Sequence, residues 1–161
     1  MTATVISLVA FKGGVAKTSS TAMISYNLAK RNYKVIMVDL DPQANLTAIS
    51  LRTKLAQLGE NANTVIDSSL MKAVQDDDLS EAQINIMPNL DLIGSSMDFS
   101  LYPEYMLNRS QSMKEQVKYL DELLKPIIKD YDFCIIDTPP TLSLYLSSAL
   151  YASDFALCLL K

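Results

Sequence analysis

An apolar run rich in β-branched residues, residues 4–10, passes directly into a short loop that contains two glycines and two lysines. Such an uninterrupted run is typical of a strand that is buried on both faces of a parallel sheet. From residue 18 to residue 31 the apolar residues recur at helical spacing, so the pattern predicts a helix after the loop. A buried strand, a glycine-containing loop and a helix in this order form the setting of a phosphate-binding loop.

The loop itself has the residue types that phosphate binding requires. Backbone N–H groups around residues 13–17 can surround a phosphate, and the helix that follows directs its positive end at the same point. Lys17 is placed to neutralise the β- and γ-phosphates, and the Thr18 hydroxyl is placed to bind Mg²⁺. The standard G-x-x-x-x-G-K-[ST] pattern is not met, because Phe11 and Ala16 occupy its two glycine positions. A glycine-rich turn with solvated lysines is the alternative interpretation.

The rest of the chain continues to alternate strands with helices, which predicts an α/β fold: a mostly parallel sheet with helices on both faces, in a single domain over residues 1–161. Further strands are predicted at 34–40, 84–87, 90–93, 133–137 and 155–160, with Pro88 and Asn89 turning a hairpin. Further helices are predicted at 46–58, at 63–75 with a cap near Thr64, at 112–129 with a kink at Pro126, and at 142–152; residues 94–109 read as irregular. Because the final strand is as apolar as an interior one, we expect it to be buried, the sheet to be incomplete at this end, and the natural chain to continue.

Composition excludes several classes of protein. The chain has no histidine, which rules out histidine catalysis and histidine metal sites. No apolar run approaches the roughly 18 residues of a membrane helix, and the apolar start lacks the basic flank and cleavage site of a signal peptide. Both cysteines, Cys134 and Cys158, lie in apolar runs, so they are expected to be buried core residues of a cytoplasmic protein rather than a redox or cluster site. A net charge of −4 does not indicate nucleic-acid binding.

Carboxylates follow two of the predicted strands. Asp39 and Asp41 lie at the end of the second strand, and Asp137 ends the strand at 133–137. In an open parallel sheet, ligands bind beyond the carboxyl ends of the strands, where the phosphate loop also lies. Carboxylates there can hold Mg²⁺ and position water, although each could instead be a strand-end cap that faces solvent.

Three segments carry a family resemblance. FKGGVAKTSS resembles the deviant Walker A motif of the ParA/MinD group, VDLDPQAN resembles its switch I in the form found in partition ATPases, and CIIDTPP resembles its Walker B strand and switch II. The similarity spans essentially the whole chain, and the chain most resembles the ParA family of plasmid and chromosome partitioning ATPases. The family usually has glycine where this chain has Ala16, and the methyl group could crowd a phosphate.

The resemblance implies an ATPase that binds ATP or ADP with Mg²⁺. Lys12 would reach across an ATP-dependent homodimer to the other subunit's nucleotide, with a role like that of an arginine finger. Asp41 would orient or activate the attacking water and could contact the metal, while Asp137 would hold Mg²⁺ through a water and Asp39 would support the loop. The implied nucleotide-binding residues are Lys12, Gly13, Gly14, Val15, Ala16, Lys17, Thr18 and Ser19, and the implied catalytic residues are Lys12, Lys17 and Asp41. The implied partners are a ParB-like centromere-binding adaptor and nonspecific DNA, and no membrane is implied as a partner. The DNA would be bound through a C-terminal part beyond this chain. The ATP-bound form would associate with the nucleoid.

Two alternatives remain open at this point. A MinD-like, membrane-cycling ATPase that positions division or another structure would need a terminal amphipathic helix, which this chain does not show. A nucleotide-dependent scaffold that does not hydrolyse ATP is favoured only by Ala16. Among weaker signals, Gln43 and Asn45 read as turn residues that could touch the switch or a partner subunit. Four residues could form a partner surface but more simply pack in the core or in a loop: Tyr102, Tyr105, Met106 and Met113.

Overall fold

The computed structural model describes residues 3–12, 14–58 and 68–160. Within them, six strands form one sheet in the order β3-β4-β2-β5-β1-β6, parallel throughout except that β3 runs antiparallel to β4. The strands are β1 (Thr4–Val9), β2 (Val35–Asp39), β3 (Gln83–Met87), β4 (Leu90–Ile93), β5 (Phe133–Asp137) and β6 (Phe155–Cys158). The predicted strands and the predicted hairpin are therefore confirmed, each to within three residues at its ends.

Helices cover both faces of this sheet. They are α1 (Lys17–Lys30), α2 (Asn45–Leu58), α3 (Leu70–Gln75), α4 (Tyr102–Arg109), α5 (Met113–Ile128) and α6 (Leu144–Ala152). Alternate residues of β2 enter different cores: Val35 and Met37 pack on the side of α1 and α2, whereas Ile36 and Val38 pack on the side of α3 to α6. All four side chains are buried, which explains why the strand reads as an unbroken apolar run and confirms the predicted α/β architecture.

Strand register places both carboxylates at the carboxyl end of the parallel strands. Asp39, the last residue of β2, lies opposite Asp137, the last residue of β5. On the other side of β5, Leu8 of β1 lies opposite Asp137, so the phosphate loop leaves β1 at the same edge. The three central strands thus deliver the loop and both carboxylates to one place.

The segment 94–109, predicted to be irregular, is largely helical. A 3-10 helix spans Met97–Leu101, and α4 follows without a break. Phe99, Tyr102 and Met106 are spaced three and four residues apart and are fully buried, so tertiary packing stabilises a segment whose propensities are mixed. The core interpretation is correct for Tyr102 and Met106, whereas Tyr105 is only half-buried and Met113 is exposed.

The last strand contradicts the prediction of burial. Among the described residues β6 pairs only with β1, at the edge of the sheet, and all four of its residues are exposed. Cys134 is buried as predicted, but Cys158 is exposed, because no element in the described part of the chain covers β6. The apolar pattern indicated a strand correctly, but it did not determine the strand's position in the sheet.

Several helix boundaries also differ from the prediction, by one or two residues in α1, α2, α5 and α6. The helix predicted at 63–75 is described only as α3, whose N-cap is Ser69; the predicted cap at Thr64 lies outside the described residues. α5 begins after Ser112, whose hydroxyl accepts a hydrogen bond from Glu115 N, and ends two residues beyond Pro126. None of the helices in the described part of the chain has the length and apolar character that a membrane crossing requires.

Candidate functional site

The phosphate loop enters α1 through a left-handed residue. Ala16 has φ 59° and ψ 25°, and its carbonyl accepts the hydrogen bond of Ser20 N at 2.8 Å, which starts the helix. Gly14 also has a positive φ, of 76°. Glycine adopts this region freely, but a side chain makes it costly, so Ala16 is the strained residue of the loop. Gly13 lies outside the described residues.

Lys17 and Asp137 form a buried ion pair at the base of the loop. Their Nζ and Oδ1 atoms are 2.5 Å apart, and the two side chains are 7% and 0% exposed. Two hydroxyls complete the surroundings of the carboxylate: Thr18 Oγ1 donates to Oδ2 at 2.8 Å, and Thr21 Oγ1 donates to Oδ1 at 3.1 Å. The structure thus brings together Lys17, Thr18 and Asp137, which the sequence predicted to act on one phosphate and its metal.

Asp39 is buried rather than solvent-facing. Its Oδ2 accepts hydrogen bonds from Thr47 N at 2.9 Å and Thr47 Oγ1 at 2.8 Å, and its Oδ1 accepts one from Asp41 N at 3.1 Å. Burial raises the pKa of Asp39 to about 6; the hydrogen bonds from Thr47 oppose this shift, and the charge of Asp137 adds to it. The interpretation of Asp39 as a solvated strand-end cap is therefore wrong, and its role of supporting the following loop fits the contacts.

Asp41 lies at the mouth of the site and is only partly buried. Its Oδ1 accepts a hydrogen bond from Gln43 N at 2.9 Å, a turn in which the side chain replaces a backbone acceptor. Gln43 is exposed and contributes this N–H, as expected of a turn residue. Asn45, also exposed, begins α2 and lines the cavity described next.

A cavity of about 360 Å³ opens between the phosphate loop and the start of α2. Its lining residues are Lys12, Gly14, Val15, Ala16, Lys17, Thr18, Ser19, Asp41, Asn45, Ile49 and Pro140. Every described residue of the predicted nucleotide-binding set lines it, together with Asp41. A larger cavity of about 510 Å³ near α5 does not approach the loop, and its Arg109 and Asp77 are already paired at 2.8 Å.

The donor groups at the cavity suit a magnesium ion that is carried by phosphates. Within residues 3–12, 14–58 and 68–160, no three acidic or thiol side chains gather into a metal-binding cluster. Mg²⁺ does not need one, because at nucleotide sites it commonly takes one or two protein ligands and completes its shell with phosphate and water. The Thr18 hydroxyl, which lines the cavity, could be such a ligand, and the Asp137 carboxylate beside it could hold the ion through a water.

Sequence reasoning missed three polar residues of this region: Thr21, Thr47 and Ser95. All three are nearly or fully buried. Ser95 N donates to Thr47 Oγ1 at 2.9 Å, whereas the Ser95 hydroxyl has no hydrogen-bond partner among the described residues. The available signal was position: Thr21 is one turn after Lys17, and Thr47 lies in the first turn of the helix that follows Asp41.

Comparison with known proteins gives consistent similarities. A family model described as an AAA domain matches residues 3–161. The chain is 34% identical over 152 residues to an uncharacterized protein of Methanocaldococcus jannaschii, covering 94% of this chain and 56% of that protein. It is 34% identical over 148 residues to a virulence plasmid ParA family protein of Chlamydia psittaci, covering 90% and 52%.

Among solved structures, a putative plasmid partition protein of Borrelia burgdorferi bound to AMPPNP matches with a TM-score of 0.78 and 28% identity. That match covers 99% of this chain and 63% of the Borrelia chain. The chain spans between 38% and 56% of the length of the first four curated relatives.

Proposed function

Because the chain belongs to the AAA domain family and is ParA-like, we propose that it is the nucleotide-binding domain of a partition ATPase, which binds Mg-ATP and hydrolyses it slowly to drive a homodimer switch. The observation that carries this proposal is the Lys17–Thr18–Asp137 cluster. Lys17 and Thr18 line the cavity together with Lys12 and Asp41, and both contact the fully buried Asp137 carboxylate. Residues 1–161 form a single P-loop domain in this account.

Phosphate binding falls to the loop and to Lys17. The α1 N-terminus and the loop N–H groups contribute positive potential at the cavity. The Lys17 ammonium, already held at the cavity by Asp137, neutralises phosphate charge. Thr18 would hold Mg²⁺ through its hydroxyl, and Asp137 would hold the ion through a bound water. Magnesium, when bound with the nucleotide, supplies charge neutralisation of the phosphates.

Asp41 is the residue placed to handle the attacking water. Among the described residues that line the cavity, it is the one carboxylate. The Asp41 backbone N–H donates a hydrogen bond to Asp39 Oδ1, and Asp41 Oδ1 accepts one from the Gln43 N–H. These two bonds hold the side chain in place, while its remaining lone pairs stay open to the cavity. A carboxylate in this place can orient water toward a γ-phosphate.

Lys12 acts on a second subunit. It is exposed on the cavity wall and takes part in none of the ion pairs found among the described residues. A free ammonium in this place can stabilise charge on the phosphoryl group of a facing copy. We expect ATP, and not ADP, to bring two copies together. In the Lys12→Ala variant, sizing with ATP should show monomers and turnover should fall; unchanged dimerisation and turnover would contradict this role.

The proposed partners are a ParB-like adaptor and nonspecific DNA. The Borrelia relative with the same fold is a putative plasmid partition protein, which supports a role in DNA segregation. In this account the DNA contacts lie outside the 161 residues, and the ATP-bound form is carried on the nucleoid in the cytoplasm. A McdA protein of Cyanothece, with a TM-score of 0.78 and 25% identity over 98% of this chain, was solved as an ATP complex, which supports ATP as the ligand.

The experiment is Mg-ATP hydrolysis by the intact protein, with and without nonspecific duplex DNA. DNA-stimulated hydrolysis that is lost in Lys17→Ala, and kept in the exposed control Lys114→Ala on α5, would support the partition ATPase. Circular dichroism must show that both variants fold. Hydrolysis indifferent to DNA would refute the DNA role and favour a membrane-cycling relative, whereas nucleotide binding without hydrolysis would refute the ATPase and favour a scaffold.

A further inference from the structure

Thr47 is the only residue outside the 39–43 segment that contacts the Asp39 carboxylate in the described hydrogen bonds. Both of its polar groups, the backbone N–H and the hydroxyl, donate to Asp39 Oδ2. The other oxygen, Oδ1, accepts the backbone N–H of Asp41. One buried carboxylate therefore joins the first turn of α2 to the residue that carries the cavity carboxylate.

The Thr47 side chain is fixed on every side. Its hydroxyl donates to Asp39 and accepts the hydrogen bond of Ser95 N, so both the proton and a lone pair of Oγ1 are assigned. Its methyl group faces Gly94: a Cβ built on Gly94 would lie 3.0 Å from Thr47 Cγ2. The glycine is needed for this space rather than for its backbone, since its φ is not positive. Both the hydroxyl and the methyl of Thr47 are thus matched to their surroundings.

We propose that Thr47 is a positioning residue that sets where the Asp41 carboxylate stands in the cavity, acting through Asp39. This rests on the proposed function, because Asp41 matters to turnover only if the site hydrolyses ATP. Neither Thr47 nor Asp39 lines the cavity, so neither touches the nucleotide itself. A role confined to position should change the turnover number and leave nucleotide affinity unchanged, because displacing a catalytic group by about 1 Å can cost roughly 100-fold in rate.

The substitutions separate the hydroxyl from the methyl. Thr47→Val keeps the shape and removes the hydroxyl, and it should lower kcat by about 10- to 100-fold with KM unchanged. Thr47→Ser keeps the hydroxyl and should retain the wild-type kcat. The matched control is Thr53→Val, six residues further along α2. In the described residues its hydroxyl donates only to the Ile49 carbonyl of its own helix. A second control, Ser95→Ala, removes a hydroxyl without a described partner and keeps the N–H that Thr47 accepts.

Gly94 provides an independent approach to the same side chain. Gly94→Ala should lower kcat as Thr47→Val does, because the added methyl must displace Thr47 Cγ2. In the double variant Gly94→Ala with Thr47→Ser the obstructing Cγ2 is gone, so kcat should recover toward wild type. A role for Thr47 that is only structural does not predict this recovery of kcat at constant KM.

The test measures kcat and KM for Mg-ATP in the intact protein, together with the backbone amide NMR signal of Asp41. The proposal requires the Asp41 amide to shift in Thr47→Val and Gly94→Ala and to return in the double variant. Wild-type kcat in Thr47→Val, or a double variant no better than Gly94→Ala, would overturn it. If the wild type shows no turnover, the proposed function fails on its own; the amide signal still decides the link, and an unmoved Asp41 amide in Thr47→Val refutes it.

Discussion

Replacing Ala16 with glycine should stabilise the protein, although alanine-to-glycine changes usually do the opposite. Ala16 is held at φ 59° and ψ 25°, immediately before α1. The left-handed conformation costs a residue with a Cβ about 1–2 kcal/mol, and glycine escapes that cost. Glycine also gives the unfolded chain more conformational freedom, which reduces the gain in stability by about 0.4–1 kcal/mol. The expected net gain in the free energy of unfolding is therefore about 1 kcal/mol.

The assay is urea denaturation of Ala16→Gly beside a matched variant, Ala48→Gly. Ala48 is exposed in the first part of α2, and its N–H donates to the Ala44 carbonyl at 2.9 Å. There the same substitution should cost about 1 kcal/mol, because glycine is a poor helical residue. The two variants should thus shift the midpoint in opposite directions.

Ala16 also lines the cavity, so removal of its methyl group can only widen the space for phosphate. We therefore expect Ala16→Gly to bind a fluorescent ATP analogue at least as tightly as the wild type does. The reasoning is refuted if Ala16→Gly loses stability as Ala48→Gly does, since the loop would then not store the strain that its backbone angles imply.

Three further predictions concern buried groups. Asp137→Ala should lower the free energy of unfolding by about 3–5 kcal/mol, because it leaves the Lys17 ammonium buried without its partner. The control is Glu122→Ala, which breaks the exposed pair with Lys118. A loss of stability in Asp137→Ala that is no larger than in this control, measured by urea denaturation, would contradict the prediction. Because the pKa of Asp39 is raised to about 6, Asp39 binds more protons in the folded than in the unfolded state, so its contribution to stability is greatest below pH 4 and is lost as pH rises through 6. In urea titrations, the difference in free energy of unfolding between wild type and Asp39→Asn should shrink by up to about 3 kcal/mol between pH 4 and pH 7. A difference that does not depend on pH would contradict the raised pKa. In the folded 161-residue chain a thiol reagent should label the exposed Cys158 rapidly and Cys134 slowly, because burial raises the pKa of Cys134 to about 12. Rapid labelling that persists in Cys158→Ser would show that Cys134 is not buried.

Strand positions could be predicted from the sequence because each interior strand is buried on both faces. Val35 to Val38 supply both cores in alternation, so β2 is apolar until Asp39 ends it. The same logic misplaced β6, since an apolar run indicates a strand but contains no information about which neighbours the strand has. The helical segment around Tyr102 was missed because its burial depends on Phe99 and Tyr145, whose rings pack against it at 5.0 and 5.8 Å.

The site could be predicted in part for a similar reason. Lys17 and Asp137 are 120 positions apart, but Asp137 ends β5 and Lys17 closes the loop that follows the neighbouring parallel strand β1, so the topology brings them together. Thr47 and Ser95 could not be found in this way, because they act through hydrogen bonds whose geometry depends on the placement of α2 against β4. The left-handed angle of Ala16 was likewise hidden by a residue that favours helices.

The most direct test of the account is phosphate release from ATP by the intact protein, with Mg²⁺ and after its removal by EDTA, in wild type and Asp41→Asn. We expect slow turnover that requires Mg²⁺ and falls by about 100-fold or more in Asp41→Asn, while a fluorescent ATP analogue still binds that variant. Turnover that persists without Mg²⁺, or that is unchanged in Asp41→Asn, would contradict the assignment of this cavity as the site of hydrolysis.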